Sequence, residues 1–175
     1  MPRPVTTPWA VARNSVIHGR GLYATVVIPE GTRIIEYQGE RITKAEAVRR
    51  EEIRVENLAK GRDGCVWIFI LNKRYDIDGS ASWNTARLIN HSCEPNCRSE
   101  IIRGHIWILA RREIQPGEEL SFDYGYSYTE WKKHPCLCRS KQCVGHIVAK
   151  GQRWRLRKAL REEKRSARLS CTKVR

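Results

Sequence analysis

The chain has 175 residues, 41% hydrophobic and 30% charged, a balance that excludes an extended disordered polymer and suits one domain with appendages. Net charge is +14, and the segment from Gly151 onward holds ten Lys or Arg against only Glu162 and Glu163, so this tail carries +8 and favours a polyanion as neighbour. No apolar stretch follows the polar start Met1-Pro2-Arg3-Pro4, and the longest apolar run, residues 65–71, is far too short to span a bilayer. The reading is an intracellular protein, not secreted, whose seven cysteines stay reduced and point to metal before disulfides.

In chain order, Pro2, Pro4 and Pro8 make residues 1–10 a flexible arm. Strands are predicted over 22–28 and 33–38, joined by the turn Pro29-Glu30-Gly31. Thr43-Lys44-Ala45-Glu46 has the form of a capping box, so a charged helix is predicted over 44–59, stopped by Gly61. Ala45, Val48, Ile53, Val55 and Leu58 give that helix a weak apolar stripe. Residues 65–71 read as a buried strand and 74–78 as another, closed by Gly79. Strands over 99–103 and 105–110 flank Gly104 as a hairpin, and Pro116-Gly117 turns the chain into a strand over 120–124. Many short strands and one helix predict a mainly β domain. Pro135 opens a cysteine-rich segment. Beyond it Trp154, Leu156, Ala159 and Leu160, set among arginines, predict a basic helix. The expected division is an arm at 1–10, a core at 11–126, a cysteine segment at 132–148 and a helical or disordered basic tail at 149–175.

Three stretches carry chemistry. Cys136-Leu137-Cys138 followed by Cys143 is C-x-C-x4-C. Two cysteines one residue apart bridge each other poorly but can face one ion, and structural zinc takes four ligands in a tetrahedron. The segment supplies three. The fourth is open among Cys93, Cys97, Cys65, Cys171, His134 and His146. His18-Gly19-Arg20-Gly21 places Gly-x-Gly before a strand, where a backbone can approach a ligand, although a plain turn has the same letters. Asn90-His91-Ser92-Cys93 has the residue types of a nucleophile site, but catalytic triads are assembled in space and not from sequence neighbours.

Taken together the motifs run G-x-G-L at 19–22, E-Y-Q-G-E at 36–40, W-I-F-I-L at 67–71, N-T-A-R-L-I-N-H-S-C-E-P-N-C at 84–97, G-E-E-L-S-F-D-Y-G-Y at 117–126 and C-x-C-x4-C at 136–143. This series, over residues 11–148, resembles the SET-domain protein lysine methyltransferases with a post-SET zinc segment. The resemblance implies a mainly β fold of small curled sheets with a pseudoknot, one or two short helices and a small zinc-binding segment. In the pseudoknot the stretches like 90–93 and 120–124 come together. It implies S-adenosylmethionine as cofactor, held by His18, Gly19, Arg20, Gly21, Asn90 and His91. Trp67 stands where the family usually has a Tyr beside the cofactor. Tyr124 matches the catalytic tyrosine, which also borders the cofactor. Tyr37 matches an aromatic wall of the lysine channel, and Phe122 the position that sets how many methyl groups are added. A Phe there implies di- or trimethylation. Cys93 matches the fourth zinc ligand, beside Cys136, Cys138 and Cys143, which leaves Cys97 and Cys65 as ordinary thiols.

No cysteine-rich module precedes residue 11, and only about 16 residues stand where many members insert a substrate-reading region. The expectation is a compact, bacterial-type version, in a bacterial cytoplasm or a nucleus. The implied substrate is a protein with an exposed lysine, a histone or another basic protein. Nucleic acid is a candidate partner for the basic tail. A competing reading is a SET-like nucleic-acid or chromatin binding module with little catalysis. Intact Asn90, His91 and Tyr124 weigh against it.

Overall fold

A computed structural model describes residues 5–60 and 67–171, with side chains at 58–59 and 167–171 left aside. Four sequence-based expectations lie outside these residues: Pro2 and Pro4 of the arm, Gly61 as helix stop, the 65–66 start of the apolar run with Cys65, and the Cys171 side chain. The chain divides into two units. One comprises Met1–Asn90 with Asn96–Leu120, the other His91–Pro95 with Ser121–Arg175.

The first unit is built of short antiparallel strands. β1 (Ala10–Asn14) pairs β2 (Arg20–Ala24). A three-stranded sheet runs β3 (Arg33–Tyr37), β9 (His105–Ala110), β8 (Cys97–Ile102), and a second runs β4 (Glu40–Thr43), β6 (Tyr75–Asp78), β5 (Ile68–Ile70). Arg103 and Gly104 join β8 to β9 with φ of 51° and 82°. Two positive φ values make a type I′ turn, whose twist matches that of the strands it joins. The core packs Leu22, Ile28, Ile89, Ile106, Ile108, Ile114 and Leu120, each at most 1% exposed. At about 25 cal/mol per Å² of apolar surface, each such side chain contributes roughly 1.5–3 kcal/mol.

α1 (Lys44–Ala59) starts as the Thr43 box predicts: the Thr43 hydroxyl accepts the Glu46 N–H at 3.3 Å. Its weak apolar stripe does not dock. Val48, Ile53 and Val55 are exposed, and among the described side chains of the helix only Ala47 is buried. The helix is held by charge instead. Arg50 and Arg54 both reach Asp78 on β6 at 2.8 Å, and Lys44 reaches Asp76. Burial by itself would raise the Asp78 pKa, yet the Arg50 hydrogen bond, with help from Ser80 and Arg54, lowers it. A correction concerns 65–71. Among its described residues Ile68–Ile70 form the strand, an outer one of its sheet, and Ile70 is exposed, so this part of the run is not a buried strand.

The second unit holds β10 (Ser121–Phe122), which pairs the His91 end of β7 (Asn90–His91). The Ser92 N–H donates to the Phe122 carbonyl at 3.2 Å, so the two stretches expected to meet in a pseudoknot do meet. A small core of Trp131, Val148 and Leu156, flanked by Tyr128, Val144 and Leu160, seats α2 (Arg153–Cys171). The tail is therefore helical. Leu156, at 0% exposure, faces this core, while Trp154, Arg157, Lys158 and Arg161 face outward.

Candidate metal centre and catalytic turn

In the first unit the loop before β2 is built around one carboxylate. Glu119 accepts the Ser15 hydroxyl at 2.7 Å, the Tyr23 hydroxyl at 2.8 Å and the Asn90 side-chain amide at 2.8 Å. Asn90 Nδ2 also lies 3.3 Å from the His18 carbonyl and 3.1 Å from the Arg20 carbonyl. Every partner that must accept is an oxygen without a proton, which fixes which end of the Asn90 amide points there. At Gly21 a Cβ would stand 2.3 Å from Glu119 Oε1, so a side chain there would displace the carboxylate on which the loop is built. Gly19 is different. It sits at φ +49° with open space where a Cβ would be, and His18 and Arg20 beside it are exposed. A buried amide thus anchors an open backbone loop, the arrangement for a ligand held by main-chain groups.

Further along this unit Tyr37 is 5% exposed and packs on Phe69 with ring centroids 5.2 Å apart. Its hydroxyl donates to the Trp67 carbonyl at 2.8 Å, which also accepts the Gly79 N–H at 2.9 Å. The Trp67 ring lies under the guanidinium of Arg87 at 5.3 Å and beside that of Arg54 at 6.0 Å. Cation–π contacts of this kind are worth about 0.5–2 kcal/mol each and hold the indole in place.

In the second unit Cys93, Cys136, Cys138 and Cys143 converge, their sulfurs all within 4.8 Å of one another. Cys93 Sγ and Cys136 Sγ are 3.8 Å apart. A tetrahedron with zinc–sulfur bonds of about 2.3 Å has edges of about 3.8 Å, so the donor set fits zinc with four thiolates. The Cys136 thiol, hydrogen-bonded to Cys93, pulls the Cys93 pKa down to about 3, and the same bond together with burial pushes Cys136 up. The other candidate ligands among the described side chains, Cys97, His134 and His146, are placed elsewhere. Cys97 is buried in the first unit, with its thiol toward Asn96. His134 packs on Tyr126 at 4.4 Å and His146 on Trp131 at 4.5 Å. Burial lowers the His134 pKa.

His91 stands between the sulfurs and the tyrosine turn. Its Nδ1 accepts the Tyr124 N–H at 3.2 Å, so the ring proton belongs on Nε2, which faces Cys93 Sγ at 3.7 Å. A proton directed at a ligating thiolate is a common outer support of metal sites. Tyr124 lies 5.0 Å from Phe122, 5.4 Å from His91 and 5.8 Å from Tyr126 by ring centroids. Residues 122–126 thus form an aromatic ladder.

The SET-domain profile matches residues 19–125. The chain belongs to the SET-domain family. Among similar proteins, the trithorax histone-lysine N-methyltransferase of Drosophila virilis is 42% identical over 138 residues, 77% of this chain and 3% of that protein. The H3 lysine-4 specific histone-lysine N-methyltransferase of Emericella nidulans is 39% identical over 141 residues, 77% of this chain and 11% of the relative. Its namesake from Saccharomyces cerevisiae is 37% identical over 140 residues, 77% and 13%. The chain therefore spans a small fraction of the length of the relatives it matches.

Two residues, Glu119 within the matched stretch and Arg153 beyond it, escaped the sequence reading. Glu119 was legible only as one of several acids in a strand end. The signal was Gly21, whose missing side chain makes room for it. Arg153 looked like one more charge in a basic tail, yet it is 6% exposed. Nothing in the letters distinguishes it from Arg155 or Arg157. Among the described residues no helix is long and apolar enough to cross a membrane.

Proposed function

We propose that this chain transfers methyl groups from S-adenosylmethionine to the side-chain amine of lysine in a protein substrate, with structural zinc in the second unit. The observation that carries the reading is the linkage Cys93–His91–Tyr124, in which the four-cysteine group supports, through one imidazole, the main chain of the family's catalytic tyrosine. Relatives named as histone-lysine N-methyltransferases support a histone or another basic protein as substrate. When bound, S-adenosylmethionine supplies a methyl group on a positively charged sulfur. The loop His18–Gly21 and Asn90 would hold it. The His91 imidazole is already committed, which leaves that residue's backbone to contribute.

The nucleophile must be a neutral amine. Lysine has a reference pKa of about 10.4, so deprotonation at pH 7 costs roughly 4–5 kcal/mol. Aromatic side chains such as Phe122 and Tyr37 desolvate an ammonium and lower that cost. Tyr124 is a weak base, since phenols have a reference pKa of about 10, and its role is to orient the amine. Alignment supplies most of the rate. Phe122 offers no hydroxyl to hold a water near the amine, which favours di- or trimethylation. The zinc keeps no open position for water, so it is structural.

The test is a transfer assay with labelled S-adenosylmethionine on core histones and on basic proteins of a lysate. Label in lysine is expected, reduced about 100-fold in Tyr124→Phe. No label from a chain that still binds the cofactor would favour the binding-module reading.

For the partner, we propose nucleic acid on the outward face of α2. Trp154 is 61% exposed beside the Arg155 guanidinium, and Arg157, Lys158, Arg161 and Arg165 share a groove with it. Indole stacking and phosphate neutralisation are what such a face offers. Reversing Arg157, Lys158 and Arg161 to Glu spares Leu156 and Arg153. It should flatten the salt dependence of duplex binding, by about 0.9 in log–log slope for every phosphate no longer neutralised. An unchanged slope would leave the helix face simply solvated.

A further inference from the structure

Arg153 opens α2, and it is the one basic residue of that helix described as buried. Arg155, Arg157, Lys158, Arg161, Lys164 and Arg165 are all exposed. Its guanidinium is used on three sides within the second unit. Nη1 donates to the Cys93 carbonyl at 2.7 Å, Nη2 to Asp123 Oδ2 at 2.9 Å and Nε to the Val148 carbonyl at 3.0 Å. Asp123 is in turn bracketed. Its Oδ2 accepts the Lys150 N–H at 2.9 Å and its Oδ1 the Gly125 N–H at 3.1 Å. The carboxylate therefore sits between Phe122 and Tyr124 in sequence, with both its oxygens held.

A helix needed only to cover Trp131 and Val148 has Leu156 for that purpose. Burying a guanidinium costs several kcal/mol in lost hydration, recovered only when its donors are met in good geometry. Its planar fork fixes its partners in one plane, which an ammonium cannot do. Here the fork ties together the turn that carries Cys93, the turn that carries Tyr124, and the stretch of chain leaving the cysteine segment at Val148. The turn is thus held on both sides: the Tyr124 N–H by His91, and the side chain of the residue before it by Arg153.

We infer that Arg153 is a positioning residue for Tyr124, acting through Asp123, so that the carboxy-terminal helix belongs to the methyl-transfer machinery. This rests on the methyltransferase reading of the preceding section. The role predicts a loss in turnover and not in binding, because the hydrogen-bond partners of Arg153 are Cys93, Asp123 and Val148, none of them in the proposed cofactor loop. It also predicts loosening confined to the turn.

The experiment uses the full, zinc-loaded chain and compares wild type with Arg153→Met, Arg153→Lys and Asp123→Asn. Two readouts are taken: steady-state kinetics, and deuterium uptake of the peptide covering residues 121–126. Arg153→Met should lower kcat about 100-fold, as small misplacements of catalytic groups do, with KM for S-adenosylmethionine within about two-fold. Uptake at 121–126 should rise while zinc content stays at one per chain. Arg153→Lys, which keeps the charge and loses the fork, should recover part of the rate. Wild-type kcat in a folded Arg153→Met, with only a lower Tm, would reduce Arg153 to a strut and overturn the inference. If Arg153→Met does not fold, Asp123→Asn decides. It leaves the two carbonyl contacts in place and should show the same fall in kcat, and normal turnover there overturns the proposal equally. If wild type itself transfers no methyl group, the methyltransferase reading fails on its own. Deuterium uptake then judges the anchor, and unchanged uptake at 121–126 in the variants would sink it.

Discussion

Stripping the metal with a strong chelator is expected to unfold the second unit and leave the first largely intact. The apolar core of the second unit is small: Trp131, Val148 and Leu156, with Tyr128, Val144 and Leu160 at its edge. Three buried side chains contribute only several kcal/mol at roughly 1.5–3 kcal/mol each, against an ordering cost of about 1–2 kcal/mol for every residue fixed. A zinc held by Cys93, Cys136, Cys138 and Cys143 contributes on the order of 10 kcal/mol, and this is folding energy because the unfolded chain has no such site. Chelation should therefore remove a separate thermal transition and the near-ultraviolet signal of Trp131. Cys138→Ser should do the same at any metal concentration, and the metal content should fall from one per chain. Cys97→Ser is the control, since that thiol lies in the first unit. A chelated protein that kept its full melting profile would show that the four sulfurs gather without a metal to hold them.

How far the sequence reached depended on the kind of force involved. Local signals were legible. The Thr43 cap places the start of α1 at Lys44, and Gly104 places the hairpin, since a two-residue turn with positive φ is specified by its own letters. The fourth cysteine was not legible from spacing, which left six candidates. It followed from the family resemblance, and the structure brings Cys93 to the other three. Buried charge was the blind spot. β4 is paired to β6 through its backbone. α1 beside it has only a weak apolar stripe and is held by Asp76 and Asp78, whose partners Lys44, Arg50 and Arg54 lie 24 to 32 residues away. Hydrophobic periodicity cannot report an element fastened by ion pairs. Arg153 was missed for the same reason: a guanidinium is read as surface until its acceptors are known.

Replacing Asn90 should be the most damaging single change in the first unit, and its two variants should differ in their response to pH. Asn90 is 8% exposed and its amide meets the Glu119 carboxylate and the carbonyls of His18 and Arg20. Asn90→Ala leaves three acceptors without that donor. The amide has two N–H donors, so at about 1–3 kcal/mol for each hydrogen bond lost the cost is roughly 2–6 kcal/mol, and under the proposed role S-adenosylmethionine affinity should fall at least 100-fold. Asn90→Asp puts a second carboxyl group about where the amide now sits, 2.8 Å from Glu119 Oε1. Two carboxylates that close cannot both ionise, so they share one proton and the folded pKa of the pair rises. The stability carried by that proton is complete below about pH 4, where the unfolded carboxyls are protonated as well. It is lost as pH rises through the raised value. Asn90→Asp should thus approach wild type in Tm at low pH and fall away toward neutrality, whereas Asn90→Ala should show an offset that changes little with pH. Equal offsets for both variants from pH 4 to 8 would mean that the amide does not face the carboxylate, and that the loop before β2 is held by something else.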